Sequence, residues 1–222
     1  MASICVAHLV RAKNGIEPLQ RFLETYGRNR GGVDHDFLII FKGFPGRKEP
    51  AAFEQQLIDH AHRSIFVGDF GYDVTTYFEA ARALEYPYFC FLNSYSLILD
   101  ENWLMKMYRH ISENDVGIVG ATGSCESIYS DCVEQHRVMM MNPSHKRIDR
   151  RLWMRFRMMR YKSYFDPFPN YHIRTNAFMI RGFLMRQIRL HRIHTKMDAW
   201  GLKVAKTVSP SRFCAGISGF WL

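Results

Sequence analysis

The sequence is short of carboxylates. Twenty-one Asp and Glu stand against 30 Lys and Arg in 222 residues, a formal charge of +9. That balance points to an anionic partner and leaves nucleic acid, an anionic membrane surface and a phosphorylated substrate open. No apolar run approaches the ~20 residues that cross a bilayer. The opening Met1-Ala2-Ser3-Ile4-Cys5-Val6 enters a strand-like stretch without a basic leader or cleavage site, so the expectation is a cytoplasmic protein. Cys5, Cys90, Cys125, Cys132 and Cys214 are odd in number and scattered. They form no C-x-x-C pair of the kind that binds zinc or exchanges disulfides, which predicts reduced thiols. His60/His62 and His191/His194 complete no metal-ligand set and read as surface residues. Repeats and low-complexity segments are absent. Apolar matter is plentiful: 47% of the chain is hydrophobic, enough for one α/β domain with its own core.

Short apolar runs alternate with helical patterns. Residues 4 to 10 read as a buried strand, broken by Asn14-Gly15 before a helix over about 16 to 26 with Leu19, Phe22, Leu23 and Tyr26 on one face. Further strands are predicted at 37 to 41, 64 to 67, 88 to 92 and 116 to 119. Between them fall a helix with Phe53, Leu57, Ile58 and Ala61, a helix over 74 to 84 capped by Asp73, and an Asp100-capped helix around 103 to 111. The alternation predicts a mostly parallel α/β sheet with helices on both faces. Beyond Gly120 the rhythm fails. Gly123 to Ser127 looks like a loop, a basic insertion occupies about 121–165, and 177 to 180 returns to a strand before a helix from about Gly182.

Ligands of open α/β sheets lie at the carboxyl ends of the strands, where loops and helix N-termini converge. Three groups of residues belong there: Asp69, Gly71 and Asp73 after strand three; Asn93, Ser94, Tyr95 and Ser96 after strand four; and Asn170, His172, Arg174, Thr175 and Asn176 before the late strand.

These segments, Asp73-Val74-Thr75-Thr76-Tyr77, Tyr88 to Ser96, Trp103-Leu104 and Phe168-Pro169-Asn170-Tyr171-His172-Ile173-Arg174-Thr175-Asn176-Ala177-Phe178, resemble a group of poorly characterised bacterial proteins related to family 2 glycosyltransferases. The resemblance covers roughly residues 3 to 200, and the His-Ile-Arg-Thr-Asn block is its most specific part. It implies a GT-A-like (Rossmann-like) fold over 1–200, a nucleotide-sugar donor and transfer of a sugar to a glycan or lipid-linked acceptor, often in surface polysaccharide assembly. Asp69, Gly71, Asp73 and Asn93 to Ser96 then fall near the donor, with Asn170, Arg174, Thr175 and Asn176 near the diphosphate or acceptor.

The chain departs from the wider class at one point. Where GT-A enzymes commonly place Asp-x-Asp to hold a divalent cation, it has Asn93-Ser94-Tyr95, which offers neutral oxygens only, whereas hard cations prefer carboxylates. No metal ligand is assigned, and a Mg²⁺ or Mn²⁺ ion on the donor stays open. Without a metal the leaving diphosphate needs cationic side chains, of which Arg174 is the best placed; the alternative for Arg174 is an ion pair at the edge of the core. Asp69 and Asp73 serve as turn and capping residues, as hydrogen-bond partners of the nucleoside, or as both. His172 is either a hydrogen-bond partner or the acid-base group, and the carboxylates expected near the acceptor are Asp166 and Asp198.

Between Lys146 and Lys162, Arg147, Arg150, Arg151, Arg155, Arg157 and Arg160 are interleaved with Leu152, Trp153, Met154, Phe156, Met158 and Met159. Such a segment suits peripheral contact with an anionic membrane, or else a solvated helix packed by one face. No nucleic-acid motif accompanies the charge.

Residues 201–222 lose all period. Synonymous codons for Gly201 to Pro210, read from the third base, give Phe-Glu-Ser-Gly-Lys-Asn-Ser-Leu-Thr, which resembles the segment that follows Lys-Met-Asp-Ala-Trp in the family. The expectation is a one-base deletion after the Trp200 codon that removes the native C-terminus, including a Glu suited to act as base, and either impairs activity or leaves a catalytically inactive remnant or a sugar- or membrane-binding module. Sequencing the gene tests it: bases that do not encode this peptide in another frame end the idea.

Overall fold

The computed structural model describes residues 2–46, 48–141 and 148–188, together with 195 and 197–199; of 148–150 it describes the backbone only. The expected tail and its frameshift, His191, His194, Lys146 and Arg147 lie outside the described residues.

The amino-terminal part alternates as its sequence pattern requires. The order is β1 (Ile4–Arg11), a 3₁₀ turn (Ala12–Asn14), α1 (Glu17–Arg28), β2 (Asp36–Lys42), α2 (Ala51–Leu57), β3 (Arg63–Val67), α3 (Asp73–Ala83), β4 (Tyr88–Leu92), α4 (Trp103–Ile111) and β5 (Ile118–Gly120). Then follow β6 (Gly123–Ser124), α5 (Ile128–Met141), α6 (Ile148–Tyr164), β7 (His172–Ile173), β8 (Ala177–Arg181) and α7 (Gly182–Gln187). Six strands form one sheet in the order β3-β2-β1-β4-β8-β5. β1 pairs in parallel with β2 and β4, and β2 with β3, while β8 runs antiparallel to both β4 and β5. The sheet is thus mostly parallel, with one reversed strand.

Central strands of such a sheet are buried on both sides and therefore apolar on both. In β1, Ile4, Val6 and Val10 join one core with Leu19 and Phe22 of α1, Phe53 and Leu57 of α2, and Leu104, Met107 and Ile111 of α4. Its alternate residues, Cys5, Ala7 and Leu9, join the other core with Tyr77, Phe78, Ala80 and Ala81 of α3 and Met185 of α7. Helices cover both faces, as expected.

Two local contacts fix the reversed strand. Arg181, at its end, donates to the carbonyls of Ile111, Glu113 and Val116, tying β8 to the α4–β5 connection. The next residue, Gly182, donates to Pro87 O at 2.7 Å, and a Cβ there would fall 2.0 Å from Tyr86 O, so no larger residue lets the chain pass so close to the start of β4.

Three expectations need correction. Asp73 is not the N-cap of α3: that position is Tyr72, and Asp73 stands in the first turn, where its charge suits the helix dipole. Nor does Asp100 cap α4. The cap position is Asn102, left-handed at φ 58, and Asp100 instead pairs with Lys106. Finally, the stretch beyond Gly120 is not irregular: Gly123–Ser124 pairs with His172–Ile173, and between them α5 and α6 form a helical hairpin. Cys132 and Met154 are buried between the two helices, Arg157 donates to Cys132 Sγ at 3.2 Å and to Gln135 Oε1 at 2.5 Å, and Phe165 is fully buried at the base among Ile128, Tyr129, Tyr161 and Met197.

Candidate functional site at the carboxyl edge of the sheet

The parallel strands β1 to β4 end on one edge, and the reversed β8 begins there. Lys42, the last residue of β2, is 2% exposed. Its ammonium donates to the carbonyls of Phe70 (3.0 Å), Gly71 (3.3 Å) and Tyr72 (3.0 Å) and to Thr76 Oγ1 (3.1 Å). Burial, and next the Arg11 charge, lower its pKa, while Asp69, Asp73 and Glu79 oppose the shift. An ammonium so surrounded holds the β3–α3 loop in a single shape. Gly71 lies within that loop at φ +65, where a Cβ would come 2.5 Å from Thr75 Oγ1, so the turn requires glycine.

Asp69 begins the same loop. It accepts from Arg11, at the end of β1, at 2.9 Å and pairs with Lys13, in the 3₁₀ turn, at 2.6 Å. The Lys13 ammonium and the Arg11 guanidinium hold its carboxyl down to about 2, so Asp69 is ionised at any ordinary pH. Asp73 accepts from Thr175 Oγ1 at 3.1 Å, joining the β3–α3 loop to the segment before β8.

The β4 end is joined to that same segment. Asn93 N and Ser96 Oγ both donate to Asn176 O, at 2.8 and 2.9 Å, and Asn176 Oδ1 accepts from Thr122 Oγ1 at 2.9 Å. Ser94 is buried and Tyr95 is 68% exposed. Arg174 N donates to Thr122 O, and the Arg174 guanidinium lies 3.2 Å from Glu126 in a pair whose side chains are 51% and 70% exposed. An ion pair so open to water is worth little, so Arg174 can exchange Glu126 for another anion at small cost.

Asn170 is buried and its N–H donates to Cys125 O; its own carbonyl lies 2.8 Å from His172 Nδ1. A carbonyl only accepts, so Nδ1 carries the proton and Nε2 of the neutral ring keeps its lone pair. The Asp166 carbonyl accepts from Ser127 Oγ, and the Asp198 carboxylate accepts from Thr195 N at 2.8 Å at the start of a helical turn.

The structure therefore knits Asp73, Asn93, Ser96, Thr175 and Asn176 together by hydrogen bonds, with Asp69 and Gly71 in the same loop as Asp73 and Arg174 next in the chain to Thr175. The sequence pattern did not single out Glu126, the carboxylate beside Arg174. It also passed over Arg11, Lys13 and Lys42. The available signal was their position, each a cation at or just after the carboxyl end of a buried strand. Among the described residues no group of three or more His, Cys, Asp or Glu comes together as a metal site. A cavity of about 360 Å³ between Tyr86, Tyr88, Arg181 and Arg186 lies at the other edge, where β4 starts and β8 ends, away from these loops.

No family model and no curated protein matches the chain. Solved structures match in fold. A 4-diphosphocytidyl-2C-methyl-D-erythritol synthase from Anaerococcus prevotii superposes with a TM-score of 0.50 at 13% identity, over 90% of this chain and 82% of that one. The mannosyltransferase PcManGT from Pyrobaculum calidifontis, in complex with GDP-Man and Mn²⁺, gives 0.48 at 11% identity over 81% and 44%. UDP-bound glucosyl-3-phosphoglycerate synthase from Mycobacterium tuberculosis gives 0.45 at 10% over 82% and 57%. The chain spans less than two thirds of the length of either of these two transferases. What the likeness shows is the fold, a GT-A-like (Rossmann-like) α/β sheet with one reversed strand.

Proposed function

We propose that the chain binds a nucleotide-activated sugar at the carboxyl edge of its sheet and transfers the sugar to a glycan or lipid-linked acceptor. The observation that carries this reading is the Thr175–Asp73 hydrogen bond, together with the Asn93–Asn176 bond. Through them three loops distant in sequence form one polar surface at the place where α/β sheets hold nucleotides. The loop from Asp69 to Asp73, underpinned by Lys42, meets the nucleoside. Asn93 to Ser96, with Thr175 and Asn176, floors the diphosphate, and Arg174 leaves Glu126 for the phosphate oxygens. A guanidinium suits that role because its fork of donors matches phosphate geometry. His172, with Asn170 fixing its tautomer, takes the acceptor's proton on Nε2; Asp166 and Asp198 are the alternative bases.

Asn93-Ser94-Tyr95 offers a divalent cation neutral oxygens only, whereas hard cations prefer carboxylates, so no metal ligand is assigned to it. The role of stabilising the leaving group falls to Arg174 and backbone donors. The fold is shared with a 4-diphosphocytidyl-2C-methyl-D-erythritol synthase, so the decisive experiment separates sugar from nucleotidyl transfer. Thermal unfolding is followed with a panel of nucleoside diphosphate sugars and nucleoside triphosphates, with and without Mn²⁺, since a ligand that binds only the folded state raises its melting point. The expected result is stabilisation by a diphosphate sugar that Mn²⁺ leaves unchanged, weakened about tenfold in affinity by Arg174→Ala, the loss of one charge-assisted contact. Stabilisation by triphosphates alone, or by none of the panel, rejects the reading.

A further inference from the structure

The helix α6 has two apolar faces, and folding uses only one. Met154 is 8% exposed against Cys132 of α5, with Met158 and Tyr161 half-buried on the same side. On the opposite side Leu152, Phe156 and Met159 are 61%, 62% and 66% exposed. Their spacing of four and three residues lines them in a single stripe along the helix. Exposed Arg155 and Lys162 fall along one margin of that stripe and Arg160 along the other, beside Trp153 at 58% exposure. Single exposed apolar residues are ordinary, but an aliphatic and aromatic stripe between cationic margins is the pattern of a helix that lies in a membrane interface.

We propose that this outward face of α6 docks on the surface of an anionic phospholipid bilayer. The 17 residues of α6 hold six Lys and Arg and a single acid, Asp149, so lipid phosphates complement its margins while the stripe enters the acyl boundary. No helix among the described residues is long and apolar enough to cross a membrane. A nucleic acid would pair with the cations but leave Leu152, Phe156 and Met159 in water, and a second copy would bring two cationic margins together; of these three occupants the bilayer satisfies both features. The hairpin returns through Phe165 to Asn170 and His172, so α6 leads by a short stretch of chain into the site's late loop. The inference does not depend on sugar transfer.

Co-sedimentation of the full chain with phosphatidylcholine vesicles, and with equimolar phosphatidylcholine and phosphatidylglycerol vesicles, tests it. The expected result is partition onto the anionic vesicles only, abolished by high salt. Removing all three marginal cations in Arg155→Gln/Arg160→Gln/Lys162→Gln lowers that partition about 100-fold, because each Lys or Arg near an anionic surface contributes several-fold. Phe156→Asp lowers it as well, with unchanged thermal unfolding since the side chain is exposed. Equal binding to neutral vesicles, no binding at all, or anionic binding that neither variant weakens overturns the proposal. So does light scattering that shows a dimer dispersed by Phe156→Asp, or duplex DNA bound in preference to vesicles.

Discussion

The six-stranded sheet with its covering helices and the hairpin of α5 and α6 are both rich in aromatic and aliphatic side chains, yet spend them in opposite ways. In the sheet and the α3 helix on it, Tyr77, Phe89, Phe91 and Phe178 make stacked, edge-on and tilted ring contacts, with Tyr77 and Phe91 centroids 4.7 Å apart and Phe89 and Phe91 5.4 Å apart, all nearly or fully buried. In the hairpin, Trp153, Phe156 and Tyr164 are 58%, 62% and 49% exposed. Composition therefore does not reveal what an aromatic is for. Burial separates residues that hold the fold together from residues left over for something outside it.

Truncation should make that contrast measurable. Phe91→Ala is expected to cost about 3–5 kcal/mol, the range for emptying a buried phenyl site, whereas Phe156→Ala should stay within about 0.5 kcal/mol. Urea denaturation with unchanged slope reads both, and a Phe156 cost near that of Phe91 would erase the distinction.

A second effect of similar size belongs to the sheet alone. His8 of β1 is fully buried, stacked on Phe22 at 3.8 Å, with no hydrogen-bond partner for either ring nitrogen. Burial pushes its pKa from 6.5 down to about 3. The unfolded chain takes up a proton near pH 6.5 and the folded chain only near 3, so this contribution is whole above 6.5 and is lost as pH falls across that window. The loss is on the order of 4 kcal/mol by pH 3. His8→Leu should flatten that limb of the stability–pH curve, and an unaltered limb would mean that the imidazole is not the source.

Lys42 sits between the two extremes, buried like a core residue yet serving a surface loop. Lys42→Met keeps most of the volume but leaves the carbonyls of Phe70, Gly71 and Tyr72 without their donor, at a cost of about 2 kcal/mol. Because the loop they belong to meets the proposed nucleoside, ligand-induced stabilisation should fall by more than the stability itself. Full retention of ligand binding would show that the loop holds its shape unaided.

Much of the fold was legible because hydrophobic period is a local signal. β4 at 88–92 and α4 at 103–111 appear with the bounds the pattern predicts, and strands at 37–41, 64–67 and 177–180 needed only an added residue at one or both ends. The capping assignments failed for a definite reason. Asp73 and Asp100 have the right side chains one or two residues from the cap position, but Asp73 accepts from Thr175, brought by the fold, and Asp100 pairs with Lys106 of the helix that follows it.

By itself the sequence determined the alternation of strands and helices, the two-sided core and the presence of polar residues in the loops after strands three and four. Those follow from burial of apolar side chains at fixed spacing, a property each segment carries alone. The direction of β8, the partnership of Asp73 with Thr175, the placing of Lys42 under the β3–α3 loop and the exposure of one face of α6 were decided only in three dimensions. Each depends on contacts between segments tens of residues apart, or on which face of a helix finds no neighbour, and no local pattern encodes either.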